Sequence, residues 1–227
     1  MGARIVTNTG RPRMPTKAIL TLNQWLSPSY PLGSFAYSHG LETALADGWV
    51  IDAATLQDWL ADVLTVGSGW SDAVLLNAAF RAESGDELHS IDAVGRAFAA
   101  SEERLRESLN QGAAFARTVQ GTSDLTLPDL LLPVAVGSAA KQANLPRDLT
   151  VALYLQAFVS NIVMVCVRLM PLGQTAGQQV IQKLSQLCET TANKAQAASL
   201  DDLYSNTFLS DIAAMRHEVL QPRLFQS

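Results

Sequence analysis

The stretch LTVALYLQAFVSNIVMVCVRLM (149–170) constrains the fold more than any other part of the chain. It is an almost unbroken apolar run with a proline just before it, Pro146, and another just after it, Pro171. Proline lacks the backbone N–H that a helix interior needs, so the pair predicts one long helix that starts after Pro146 and stops before Pro171. Gln156, Ser160, Asn161 and Arg168 interrupt the run, and no second segment could join it in a membrane bundle, so a helix buried in a protein core is the better reading than a bilayer span. Its apolar residues cover more than one face. It is either the central helix of a large helical domain or a helix that also meets a second subunit, with Tyr154 and Phe158, at i and i+4, as candidate dimer anchors.

Helical periodicity continues on both sides. Leu56, Trp59, Leu60, Val63 and Leu64 form one stripe behind Asp52, a candidate N-cap. Further helices are expected over 71–83, with Ser71 or Asp72 near the start and Gly85 near the end, and over 86–100. Another is expected over 101–121, opening on Ser101 with Glu102 and Glu103 behind it and stopping at Gly121. Pro128 and Pro133 bracket the start of DLLLPVAVGSAAKQANL, and 177–198 carries the stripe Val180, Ile181, Leu184, Leu187 and Cys188. A short helix over 208–220 precedes QPRLFQS, which leaves the pattern. No run alternates like a strand, so the prediction is an all-α chain with a single domain, 17–218, of about eight to ten helices. A flexible arm, 1–16, and a tail, 219–227, are the parts expected to be least held by the core.

Composition removes several function classes. Net charge is −5 and pI about 5.1, which offers no general attraction to nucleic acid or an anionic membrane. The basic residues Arg4, Arg11, Arg13 and Lys17 lie among glycine and prolines without the apolar centre of a signal peptide. Cys166 and Cys188 fall inside apolar helical patterns and not in a CxxC, which reads as buried, reduced thiols in a cytoplasmic protein.

Catalytic signatures are missing. There is no GxxxxGK[ST], no HExxH, no Cys/His quartet and no G-x-S-x-G that would turn Ser34, Ser38 and His39 into a hydrolase site. The reading is therefore a protein that is not an enzyme and needs no cofactor. His39 stands three residues before Glu42, which could put both on one helical face, and His217 directly precedes Glu218. These two histidines are the weak candidates for metal ligands, against the alternatives that His39 orders a turn and His217 packs at a helix end. The tripeptide Pro-Leu-Gly occurs twice, at 31–33 and 171–173, each time ahead of a helix-like run, which predicts two corners. In the tail, Leu224 and Phe225 either dock on another molecule or fold back onto their own core.

Three motifs carry a resemblance. PLGSFAYSHGLE (31–42) is similar to the Pro-x-Gly-x-Phe-x-x-Ser-x-Gly-Leu-Glu of the urease accessory protein UreF family. RLMPLGQTAGQ (168–178) is similar to its basic residue-x-x-Pro-Leu-Gly-Gln, and MRHEVLQPRLFQS (215–227) to its His-Glu followed by a terminal Arg-Leu-Phe-x-Ser. Order and spacing agree from about residue 18 to 227. The resemblance implies an all-α homodimer with a non-catalytic role in urease maturation. It implies a scaffold that links UreD (also called UreH) to the GTPase UreG, modulates that GTPase, and serves Ni²⁺ delivery to apo-urease. It also implies a tail that becomes ordered on UreD/UreH. A direct nickel-binding metallochaperone that uses His39 and His217 is the alternative.

By position, the resemblance assigns partner binding to Pro31, Gly33, Ser34, Phe35, Ser38, Gly40 and Glu42 in the first motif. In the second it assigns Arg168, Pro171, Gly173, Gln174 and Gln178, and in the third Glu218, Arg223, Leu224, Phe225 and Ser227. Arg168 is the residue expected to face the GTPase or the nickel route. Val219 and Leu220 stand where many relatives are more polar.

Overall fold

The computed structural model describes residues 16–227. The expected arm therefore lies outside the described residues, apart from Thr16, which already opens the first helix. Ten α-helices make up the described chain. They are α1 (Thr16–Trp25), α2 (Leu41–Ala46), α3 (Ala53–Val66), α4 (Ser68–Arg81), α5 (Gly85–Ala97), α6 (Glu102–Thr122), α7 (Leu132–Gln142), α8 (Arg147–Leu169), α9 (Gln174–Ala195) and α10 (Phe208–His217). Single 3₁₀ turns occupy Ser34–Ala36 and Leu200–Asp202, and no strand is present among the described residues.

Local chemistry explains most boundaries. Asp52 accepts from the Thr55 N–H at 2.9 Å while the Thr55 hydroxyl accepts from the Asp52 N–H at 3.0 Å, a reciprocal cap worth about 1 kcal/mol. Ser101 caps α6 by accepting from Arg104 N–H, with Glu102 and Glu103 against the positive end of the helix dipole. Pro146 and Pro171 bound α8 as expected.

Several bounds differ from the periodicity: α9 opens at Gln174 and ends at Ala195, α5 ends at Ala97 and α10 ends at His217, each about three residues from the expected position, and three further details stand out. First, α4 opens at Ser68 and not at Ser71 or Asp72, because the chain breaks at Gly67, where an added Cβ would lie 2.6 Å from the Thr207 hydroxyl. Second, Gly85 opens α5 behind the Ser84 cap, and α4 ends earlier, at Arg81. Third, α6 runs past Gly121 to Thr122.

One apolar cluster runs through the described chain. In it, α4 lies on α7, α8 on α9 and α4, α6 on α7, and α3 on α9. The α3 stripe buries Leu56, Leu60, Val63 and Leu64, each fully buried leucine contributing about 1.5–3 kcal/mol. By length and hydropathy α8 could cross a membrane, yet Val151, Leu155, Val159, Ile162, Val163 and Cys166 are buried in this core. Cys166 and Cys188 are free and buried, and burial pushes both thiols up to about 12.

The short α2 and α10 pack on each other, α2 against α8 and α10 against α6. This pair receives the tail, which does not hang free. Residues 223–227 are hydrogen-bonded to the domain, with Phe225 and Ser227 buried. The fold-back alternative, and not a mobile tail, describes this structure. The reason is polar: the tail's N–H groups, its serine hydroxyl and its arginine meet the buried carboxylates of Glu42, Glu103 and Glu107.

Candidate functional site

The two Pro-Leu-Gly corners share one local geometry. Leu32 N–H donates to the Tyr30 carbonyl and Leu172 N–H to the Met170 carbonyl, both at 2.7 Å, so each proline centres a three-residue turn. The glycine that follows has φ 73° at Gly33 and 70° at Gly173, and nothing would touch an added Cβ at either. Backbone angle alone demands glycine there. The ψ values differ, 15° against 147°, so the chain leaves the two corners in different directions, into the Ser34–Ala36 turn and into α9.

Helix α8 ties the first corner to the second. Arg168, three residues before Pro171, donates from Nη2 to the Phe35 carbonyl at 2.9 Å, and Asn161 donates to the Ser34 carbonyl at 3.1 Å. The Arg168 guanidinium also lies over the Phe225 ring, 4.9 Å from its centroid. Parts of all three motifs therefore meet at Arg168. Phe35 itself stays 68% exposed beside them, while Gln174 and Gln178 are exposed on α9.

Beneath the tail lies a buried polar cluster. Glu42 on α2 accepts from the Leu224 and Phe225 N–H groups at 2.7 and 3.0 Å. Ser38 N–H donates to the Ser227 carbonyl at 2.7 Å, its hydroxyl bonds the same oxygen, and Gln226 N–H donates to the Ala36 carbonyl at 2.9 Å. Arg223 pairs with Glu103 on α6, and the Ser227 hydroxyl donates to Glu107, one turn further along, which also pairs with Arg104. Burial alone would raise the Glu107 carboxyl, but Arg104 and the hydrogen-bonding groups around it win and hold it down at about 2.

The two histidines have different roles. His217 is fully buried, with Nδ1 2.7 Å from Glu103 and Nε2 3.2 Å from Glu42. His39 sits at φ 61°, ahead of α2 and not on a shared face with Glu42. Its Nε2 is 2.8 Å from the Ser68 hydroxyl, its ring meets Phe158 edge-on at 4.8 Å, and its Nδ1 has no hydrogen-bond partner among the described residues. Burial, helped by Arg104, pulls His39 down to about 4, so it is neutral at pH 7. Among the described residues no three His, Cys, Asp or Glu side chains are grouped as a metal ion would need. Glu218 points away from the cluster and accepts from the Glu102 N–H at 3.0 Å.

Gly40 lets this arrangement form. It has φ 77°, and a Cβ on it would lie 2.8 Å from the Ala214 nitrogen, so α10 packs directly on its backbone. That approach brings His217, one turn on from Ala214, to Glu42.

Sequence reasoning missed Glu103, Arg104 and Glu107. The signal was present: Glu103, Glu107 and Gln111 recur every four residues, on the face of α6 that the structure buries. Missed also was Asp72, which lines an 80 Å³ cavity with Arg104, Ser68 and Ser205. The Tyr154 hydroxyl donates to Asp72 at 2.6 Å, so this candidate dimer anchor has its ring buried within its own domain. Burial holds the Asp72 carboxyl up at about 6 against the pull of that hydrogen bond. The folded chain thus keeps a proton that the unfolded chain, at the ordinary 3.8, has released, so stability falls as pH rises from about 4 to 6. Asp72→Asn keeps an acceptor for Tyr154 without the charge. It is expected to add on the order of 1–2 kcal/mol at pH 7 and to flatten that slope, as read by urea melts across the window.

The chain is similar to known proteins over most of its length. The UreF family model matches residues 50–185, more than half of the chain. The urease accessory protein UreF of Ruegeria pomeroyi is 48% identical over 211 residues, covering 93% of this chain and 97% of that protein. UreF of Roseobacter denitrificans is 47% identical, covering 97% and 99%. UreF 1 of Brucella canis is 44% identical, covering 94% and 96%. A motif-bearing helical chain with such likeness over more than nine-tenths of its length belongs to the UreF family of urease accessory proteins.

Proposed function

We propose that this chain is a non-catalytic scaffold of urease maturation that joins UreD/UreH to the GTPase UreG, modulates that GTPase, and supports Ni²⁺ delivery to apo-urease as a homodimer. The observation that carries the reading is the composite surface at α10 and the tail. Phe208, Leu209, Ile212 and Met215 on α10 are exposed, as are Val219 just beyond it and Leu224 in the tail, the last 80% exposed although its own N–H and that of Phe225 are anchored. Exposed apolar side chains in that number beside a hydrogen-bonded tail suit a protein partner better than solvent. Arg168 contributes by holding the first corner and the tail ring in one register, a positioning role, with Phe35 as the exposed contact.

The geometry supports this scaffold more than a metallochaperone built on His39 and His217, since both nitrogens of His217 already face carboxylates. The test is removal of residues 219–227. Loss of co-purification with UreD/UreH and of urease activation in cells is expected. If both persist at the native level, the tail has no part in docking.

A further inference from the structure

The two hydrogen bonds of His217 call for one proton more than a neutral imidazole carries. A neutral imidazole has one N–H and one lone pair. Both nitrogens of His217 face carboxylate oxygens, Glu103 Oε2 at 2.7 Å and Glu42 Oε2 at 3.2 Å, in a position with no solvent exposure. A lone pair held against a buried carboxylate is repelled, so each of these two contacts needs a hydrogen.

We propose that His217 is an imidazolium that acts as the charged keystone of the tail seat, so that release of residues 223–227 is coupled to loss of its proton. The charges close around it. Glu42 and Glu103 carry two negative charges, balanced by His217 and by Arg223, which reaches Glu103 from the tail. Arg104 balances Glu107 separately. Of the other polar and charged groups nearby, Arg216 pairs with Asp47, Glu218 accepts from the Glu102 N–H, Arg168 donates to the Phe35 carbonyl, and Ser38 holds the terminal Ser227 oxygen; His39 bonds Ser68 through Nε2 and turns Nδ1 towards Glu107 at 3.8 Å.

When His217 gives up one proton to solvent, one carboxylate loses its donor. If that is Glu42, the group that grips the Leu224 and Phe225 N–H groups turns away from α10. If it is Glu103, the partner of Arg223 is left with uncompensated charge. Either way the tail loses hold, and the direction is fixed: the seat is closed while His217 is charged and opens as pH rises. That an open tail is the form offered to a partner rests on the function proposed above, but the seat itself is tested on the isolated chain.

The sequence has three histidines, so ¹⁵N-histidine labelling of the full chain resolves each ring. At neutral pH both ring nitrogens of His217 should read as protonated, while His39 reads as neutral. Across a rising pH series, protection of the Leu224 and Phe225 amides from hydrogen exchange should fall about tenfold or more, the equivalent of one lost charge-assisted hydrogen bond, in step with the His217 signal. Core amides of α8 should not follow. His217→Gln, with donors at one end only, should show the low tail protection at every pH. A neutral His217 under a protected tail overturns the proposal, and so does a tail whose protection stays constant while His217 loses its proton. Both are read on the native protein, whatever the variant's stability.

Discussion

Glu103→Ala is expected to be among the most damaging single changes in this chain, costing about 3–5 kcal/mol and detaching the tail. Glu103 is 4% exposed and pairs with both His217 and Arg223. Its removal leaves a buried imidazole nitrogen without an acceptor and an arginine without a partner. A buried pair broken from one side costs far more than the pair contributed, because the surviving group stays desolvated. Thermal melts should show the loss, and exchange at Leu224 and Phe225 should rise. Arg223→Ala is the control, because Arg223 is partly exposed and its loss spares the Glu103–His217 contact. If the two variants melt alike, Glu103 is not the buried anchor described.

Gly40→Val should be comparable, at about 3 kcal/mol or more. Two penalties add at this position. Its φ of 77° costs a branched residue about 1–2 kcal/mol, and the new Cβ would lie 2.8 Å from Ala214 N and 3.1 Å from Ala214 Cα. That obstacle is backbone and cannot rotate away, so α10 must shift and carry His217 from Glu42. Gly33→Val separates the terms, since Gly33 has φ 73° but open space around it. It should show the conformational penalty alone and keep tail protection. Equal losses in the two variants would mean that the α2–α10 approach contributes nothing.

Much of this was legible beforehand because it is local. Asp52, Ser101, Pro146 and Pro171 act on the turn beside them, so the bounds of α3, α6 and α8 follow from a few residues each. The Gly67 break was not legible: a glycine between two helical patterns acquires meaning only when Thr207, from 140 residues away in sequence, lies against it. The site divides in the same way. Arg168, Phe35, Phe225 and Glu42 stand out as motif residues, whereas Glu103, Arg104 and Glu107 read as the charged start of an ordinary surface helix.

By itself, then, the sequence determined the all-helical class, most of the helices, the caps at Asp52 and Ser101, the two glycine corners and the family, since these depend on short-range backbone chemistry and on residue order. Only the tertiary structure decided that α6 turns its carboxylates inward, that His217 stands between two of them, and that the tail lies on the domain. The physical reason is charge in a buried place. Whether a glutamate is a solvated surface group or a buried anchor depends on which distant cation and N–H groups reach it, and that is set by how α2, α6, α10 and the tail converge.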